Sequence, residues 1–267
     1  MPKGTNLISL IFPAYNPGPG LGASWEGVRD FLRDRPQWEV LFVLDGCSDG
    51  SEALLRRLTA GAGPHVRILS YERNRGKGAA VRVGMLAAAG DYRIFTDVDL
   101  AYGFADVVRV HEQLQFGRDV VIASRDHPES EMVLPVKMLP YMMRRHIQSR
   151  IFGGLARILL PIRQKDTQAG LKGFSAKASE AIFPHLQCDG FGFDCELLTA
   201  CARLGFAVEE MPVQVRYDSQ ATTTGFRTVR RMLGELWKVR RDWNDRVPPA
   251  RPLPTLTDAT GGEKKAA

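Results

Sequence analysis

Asp97 and Asp99 stand two residues apart, directly after the apolar run Tyr92–Thr96. At that spacing past a strand, one carboxylate can meet a hard cation directly and the other directly or through water. Phosphate oxygens would complete the shell. Mg²⁺ or Mn²⁺ held there would neutralise a diphosphate as it leaves. A second candidate is Asn74-Arg75-Gly76-Lys77-Gly78. Small residues ahead of a helix let backbone N–H groups approach an anion, and Lys77 adds charge. The run is not a Walker motif, because GxxxxGK[ST] is absent. It is not a dinucleotide fingerprint either, because it follows the wrong strand with the wrong spacing.

The elements that must position these groups alternate. Ile8–Phe12, Glu39–Leu44, Val66–Ser70, Tyr92–Thr96 and Asp119–Ala123 read as strands. Between them Ser24–Arg33 (with Ser24 as its cap), a segment opened by Ser48-Asp49-Gly50-Ser51 and running to Leu58, Gly78–Ala89 and Phe104–Phe116 read as helices. This rhythm means a parallel sheet with crossover helices. Ligands of such sheets bind beyond the carboxyl ends of the strands. Those ends here read Pro13-Ala14-Tyr15-Asn16, Asp45-Gly46-Cys47-Ser48-Asp49 and Asp97-Val98-Asp99.

Past Ser124 the pattern changes. Met143, Ile147, Ile151, Leu155 and Leu159 recur every four residues and predict one apolar stripe on a helix over 141–160, packed within the protein. Leu171–Ser175 reads as a strand, Phe193–Leu204 as a helix and Ala207–Tyr217 as extended chain around Pro212. Phe226–Trp243 reads as a basic amphipathic helix. Val247–Ala267, with four prolines and terminal lysines, reads as a disordered tail. The expected organisation is a single domain over 1–246, whose rhythm changes at about residue 125, dividing it into halves of about 1–125 and 126–246.

The 267 residues hold 36 Lys+Arg and 30 Asp+Glu, with 44% apolar residues. That apolar content supports a sizeable core and excludes a disordered chain. The net charge of +6 is unevenly placed. Met132–Lys165 carries +7 with no acidic residue and Gly225–Arg246 carries +4, so the remainder is −5. Charge concentrated in this way is aimed at nucleic acid, anionic lipid or a phosphorylated substrate, or else forms a solvated face. No nucleic-acid module is recognisable, so nucleic acid is not an expected partner. Cys47, Cys188, Cys195 and Cys201 form no CxxC pair and read as reduced cytoplasmic thiols. No secretory leader is read at the start. No window approaches 18 uninterrupted apolar residues; Ile151–Ile162 is broken by Arg157 and Pro161. Exposed sheet edges and apolar helix faces permit a homodimer or a membrane-protein partner without requiring one.

Eight strings occur in a fixed order between Ile8 and Val215: PAYN, DGCSDGS, NRGKGAAVRVGM, DVDL, ASR, RxxxSRxF, DTQAGLKGF and FGFDCELL. In that order the chain resembles the family 2 glycosyltransferases of the GT-A fold. It is most similar to the polyprenyl- and dolichyl-phosphate enzymes, with the glucosyl branch nearest through DTQ-x-G-x-K. The resemblance implies an α/β, Rossmann-like, mostly parallel central sheet flanked by helices, with basic amphipathic helices in the C-terminal half. It implies an inverting hexosyl transfer from a nucleotide-sugar to a polyprenyl phosphate. UDP-glucose is the favoured donor and GDP-mannose the alternative; a hydroxyl acceptor in glycolipid or polysaccharide synthesis is the alternative acceptor.

By the same resemblance Pro13, Ala14, Tyr15, Asn16 and Asp45 hold the nucleobase and ribose, and Lys77 sits near the base or diphosphate. Asp97 and Asp99 hold the metal. Arg125, Arg145 and Ser149 hold the acceptor phosphate. Asp166 and Gln168 lie near the transferred sugar, and Asp194 is the catalytic-base candidate. The family's membrane helices, where relatives have them, are missing. The basic amphipathic segments would then dock the chain peripherally on the cytoplasmic face of an anionic membrane.

Overall fold

A computed structural model describes residues 6–190, 192–216, 226–243, 247–254, 256–257 and 263–264, with the side chains of 141–148, 226–233, 257 and 263–264 left out of the description. The elements follow the expected alternation. They are β1 (Ile8–Ala14), α1 (Gly20–Leu32), β2 (Trp38–Asp45), α2 (Ser51–Leu58), β3 (Val66–Tyr71), α3 (Lys77–Ala87), β4 (Tyr92–Phe95), α4 (Phe104–Gln115) and β5 (Val120–Ser124). Next come β6 (Glu131–Val133), α5 (Leu139–Leu159), β7 (Lys172–Ser175), α6 (Ala176–Ile182), α7 (Phe193–Leu204), β8 (Val208–Pro212) and β9 (Gln214–Arg216). The chain closes with α8 (Phe226–Trp243), β10 (Leu256–Thr257) and β11 (Glu263–Lys264).

The main sheet has the order β11-β10-β3-β2-β1-β4-β7-β5-β8. Strands β1 to β4 are mutually parallel. β1 and β2 are buried along their whole length, which is why both read as continuous apolar runs. Leu10 and Phe12 face one apolar layer with α1, α2 and α4, while Ile11 faces another with α3, α6, α7 and α8. Gly84 lets α3 lie close on Ile11 and Val43. The parallel run is broken by β7, which is antiparallel to both β4 and β5. That insertion seats Lys172 opposite Phe95, the last residue of β4.

Four expectations need correction. Ser24 does not cap α1; the helix begins at Gly20, and Ser24 Oγ donates back to Gly20 O at 3.1 Å. The α5 stripe is inward only in part: Leu159 packs against the core, but Ile151 and Leu155 are exposed (61% and 38%), as is neighbouring Ile158, while Phe152 and Ala156 are buried; the side chains of Met143 and Ile147 lie outside the described residues. Spacing finds the period of a helix but not which of two adjacent rows meets the core. The loop Asn74–Gly78 is not an open amide cradle, because the Arg75 and Gly76 amides donate to Asp45 and the Gly78 amide to Asp189 O. Finally, of the tail expected to be disordered over 247–267, residues 247–254 lie along the molecule, while 255, 258–262 and 265–267 lie outside the described residues. Arg251 N–H donates to Pro184 O at 2.9 Å. Thr257 then pairs antiparallel with Ser70, covering part of the β3 edge. Prolines lack donors but their carbonyls still accept, and here His185 and Gln187 meet them. Tyr217 lies outside the described residues.

Candidate active site

The carboxyl ends of β1, β2 and β4 converge on one edge. Pro13 and Ala14, which end β1, are buried and Tyr15 just after them is exposed. Asn16 adopts a left-handed φ of 46°. Its Oδ1 accepts from Ser48 N–H at 2.8 Å, and Asp49 accepts from Gly18 N–H at 3.0 Å. The turns after β1 and β2 are thereby joined. Asp49 lies below the usual carboxylate range: burial pushes it up, but the hydrogen bonds from Ser51 and Gly18 together more than offset that.

Asp45, at the end of β2, is 2% exposed. Its oxygens accept from Arg75 N–H and Gly76 N–H, each at 2.8 Å, and from Asn74 Nδ2 at 3.1 Å. Gly46 (φ +63°) lets the Arg73–Asn74 backbone pass where a side chain would clash. Asp45 therefore shapes the Asn74–Gly78 loop. Gly78 N–H is also engaged, donating to Asp189 O at 2.9 Å. With the amides of Arg75, Gly76 and Gly78 satisfied inside the protein, the loop's charge reaches the site through the Lys77 side chain.

Lys77 ion-pairs with Asp97. Burial opposes its charge, but Asp97, Asp194 and Asp99 more than compensate, so Lys77 lies above the ordinary lysine range. Asp97 is half-buried and packs so tightly on Gly170 that a Cβ there would collide with its carboxylate. Asp99 is exposed, and its Oδ1 accepts from Ala101 N–H at 3.1 Å. Among the described residues no three carboxylate, imidazole or thiol groups form a self-contained metal cage. The donor set nevertheless fits a hard cation that also takes ligand oxygens: two carboxylates at one strand end, one already holding an ammonium group.

Behind this pair lies a second one. Lys172 Nζ donates to Asp194 Oδ1 and to Ala169 O, each at 2.6 Å, and sits 5.6 Å from the centre of the Phe95 ring. Asp194, at the start of α7, is buried. Burial holds its carboxyl above the usual range, against the pull of Lys172 and Lys77. Lys172 belongs to a string quoted from the sequence, yet no role was read for it; only the antiparallel seating of β7 reveals its partner.

Arg125 and Asp166, expected at the acceptor phosphate and the sugar, form one unit. Arg125 N–H, Nε and Nη2 donate to Asp166 at 2.9, 2.7 and 2.8 Å. Gln168 N–H adds a bond to Asp166 Oδ1 at 3.1 Å. Burial raises the carboxyl's affinity for a proton, but Arg125 outweighs it and Asp166 lies below the usual range. Gln168 itself is half-buried, its Nε2 3.9 Å from Cys195 Sγ. Ser149 lies on α5; the Arg145 side chain lies outside the described residues. Cys188, Cys195 and Cys201 are buried free thiols, each pushed up to about 12 by burial, so they are poor nucleophiles.

The mostly parallel central sheet flanked by helices is the GT-A fold of glycosyltransferases. The chain belongs to glycosyl transferase family 2, whose profile matches residues 9–183. It is 29% identical over 226 residues to the dolichyl-phosphate beta-glucosyltransferase of Saccharomyces cerevisiae, covering 78% of this chain and 66% of that protein. It is also 29% identical over 241 residues to glycosyltransferase AglD of Haloferax volcanii, covering 88% of this chain and 37% of that protein. The chain thus spans about two thirds or less of these relatives' lengths. Among solved structures it resembles glucosyl-3-phosphoglycerate synthase of Mycobacterium tuberculosis in complex with Mn²⁺, UDP-Glc and phosphoglyceric acid. That match has TM-score 0.60 and 17% identity, over 88% of this chain and 80% of that one. A mannosyltransferase of Pyrobaculum calidifontis in complex with GDP-Man and Mn²⁺ gives TM-score 0.53 and 18% identity, over 88% and 60% of the two chains.

Proposed function

We propose that this chain transfers glucose, with inversion, from UDP-glucose to a polyprenyl or dolichyl phosphate. The observation that carries the reading is the run of alternating charge Asp97, Lys77, Asp194 and Lys172 at the end of β4. It supplies carboxylates for a cation and an ammonium group for a diphosphate in one cluster. The names of the curated relatives support glucose and dolichyl phosphate.

Pro13, Ala14, Tyr15 and Asn16 border the nucleoside, and Asp45 acts on it through the Asn74–Gly78 loop it shapes. A divalent cation, Mg²⁺ or Mn²⁺, bound by Asp97 and Asp99 would neutralise the leaving diphosphate. Lys77 then turns its ammonium from Asp97 toward the diphosphate. The acceptor phosphate oxygen bonds to the anomeric carbon from the opposite face, and the departing diphosphate takes the electron pair of the broken bond. A phosphate is ionised at neutral pH, so this attack needs no general base. Asp194, fixed on Lys172, serves as an electrostatic anchor. Arg125 holds Asp166 beside the sugar, with Gln168 next to it, while Arg145 and Ser149 meet the acceptor phosphate.

No described helix is long and apolar enough to cross a membrane. We place the lipid at the outer row of α5. Ile151, Leu155 and Ile158 share one exposed face, and Trp237 is exposed on α8. Arg240 ties the two helices by donating to Leu159 O at 3.1 Å. Exposed Arg150, Arg157, Arg163 and Lys165 surround this face, a composition suited to an anionic bilayer.

The deciding experiment measures thermal stability with UDP-glucose, UDP-galactose, UDP-N-acetylglucosamine and GDP-mannose, each with Mn²⁺, Mg²⁺ or EDTA. Transfer to polyprenyl phosphate is then assayed. A metal-dependent rise with UDP-glucose and formation of glucosyl lipid are expected. A rise with GDP-mannose alone, or transfer only to a hydroxyl acceptor, overturns the assignment.

A further inference from the structure

The segment leading into α7 is held by groups outside it. Glu196 accepts from Gln187 N–H at 2.9 Å and Cys188 N–H at 2.7 Å. Glu235 of α8 accepts from Gly192 N–H at 2.7 Å. Arg251 grips Asp189 with both ends of its fork, at 2.8 and 2.6 Å. Asp189 in turn pins the Lys77 loop, its carbonyl taking Gly78 N–H at 2.9 Å and abutting Gly76. A Cβ on Gly78 would lie 2.5 Å from Cys188 O and 2.6 Å from Phe193 Cβ, so the two segments meet without room to spare.

Arg251 is itself fixed in register. Its carbonyl accepts from Arg82, which also reaches Pro252 O at 3.3 Å. Pro248 O lies 2.6 Å from His185 Nδ1, and Gln187 Nε2 donates to Pro249 O at 3.0 Å. Prolines pre-set φ, so this strap loses little conformational freedom on docking. A competitor waits at the same carboxylate: Arg75, from the Lys77 loop, stands 3.9 Å from Asp189 Oδ2.

We propose that Arg251 is a positioning residue for the donor nucleotide: its fork on Asp189 keeps the Asp189 carbonyl against Gly78 and thereby keeps Lys77 beside Asp97. The role rests on the donor-site reading above. Without Arg251, Asp189 turns to Arg75, and the loop carrying Lys77 moves with it. The strap lies beyond residues 9–183, the span that matches the family profile, so it is a feature of this chain outside that match.

The test compares the full chain with Arg251→Ala and Arg251→Lys. It reads amide hydrogen exchange over residues 74–80, UDP affinity in Mn²⁺ by calorimetry, and KM and kcat for the donor. Arg251→Ala should speed exchange at 74–80. It should weaken UDP and raise KM by roughly five- to tenfold, as loss of one charge-assisted fork implies, with kcat within about twofold. Arg251→Lys, keeping the charge without the fork, should fall between. Should Arg251→Ala fail to fold, Asp189→Asn removes the same pair while keeping the carbonyl. Exchange at 74–80 unchanged from wild type overturns the strap by itself. A wild-type chain that binds no nucleotide overturns the donor-site reading, and with it the role given to Arg251, whatever the exchange shows.

Discussion

Lys172 Nζ lies 2.6 Å from Asp194 Oδ1, with 0% and 7% of the two side chains exposed. Removing one partner of such a pair leaves an uncompensated buried charge, which costs about 3–5 kcal/mol. Lys172→Met should therefore lower unfolding free energy by that amount in urea titration. The double variant Lys172→Met/Asp194→Leu should recover most of it, because two apolar groups need no partner. A single variant within about 1 kcal/mol of wild type would exclude a tightly coupled pair.

Asp194→Asn retains an acceptor for Lys172 while removing the proton-accepting charge. Loss of a working general base costs about 10²–10⁴-fold in rate. With a polyprenyl phosphate acceptor we expect a fall in kcat of less than about tenfold, since the nucleophile is already ionised. A thousandfold loss in a folded variant would restore Asp194 as the base.

Asp166 gives a pH signature. Its folded-state affinity for protons is depressed because Arg125 outweighs the effect of burial. A depressed carboxyl contributes stability above its unfolded value and loses it as pH falls through the folded one. Wild type should weaken progressively below about pH 4. Asp166→Asn should be less stable at pH 7 and show a flatter profile in acid. Parallel profiles would mean that the Arg125–Asp166 pair does not persist in solution.

For the cation site, Asp99→Ala should reduce Mn²⁺-dependent turnover by about a hundredfold or more, the scale of a few kcal/mol of charge stabilisation. Gly170→Ala should act at Asp97 without touching a charge, because the new methyl group displaces that carboxylate. Mn²⁺ titration in the presence of UDP reads both, and wild-type affinity in Gly170→Ala would contradict the packing.

At the outer row of α5, Ile158→Asp should weaken binding to vesicles of anionic phospholipid by about tenfold or more, since a buried aliphatic side chain contributes about 1.5–3 kcal/mol. Phe152 is buried inside the protein, so its replacement should act on stability instead. Co-sedimentation separates the two, and equal vesicle binding by wild type and Ile158→Asp would remove α5 from the membrane surface.

Strand and helix alternation, the carboxylates at the strand ends and the order of the family's motifs are legible in the residues alone. These are local properties: apolar runs, turn residues and short spacings are read within one element. Packing between distant segments settles the rest. Helical spacing marked the α5 stripe, but only packing turned Phe152 and Ala156 inward and left Ile151 and Leu155 outside. Lys172 was visible as part of a string, but its partner lies 22 residues on, brought near by an antiparallel strand that alternation does not predict. Asp45 is legible as a carboxylate at a strand end, but that the backbone N–H groups of Arg75 and Gly76 donate to it emerges only when two distant segments meet. The proline-rich end read as disordered because it offers no apolar period. It docks largely through main-chain carbonyls and one guanidinium fork, and carbonyl groups look the same in every sequence, so what they bind is settled only when distant segments meet.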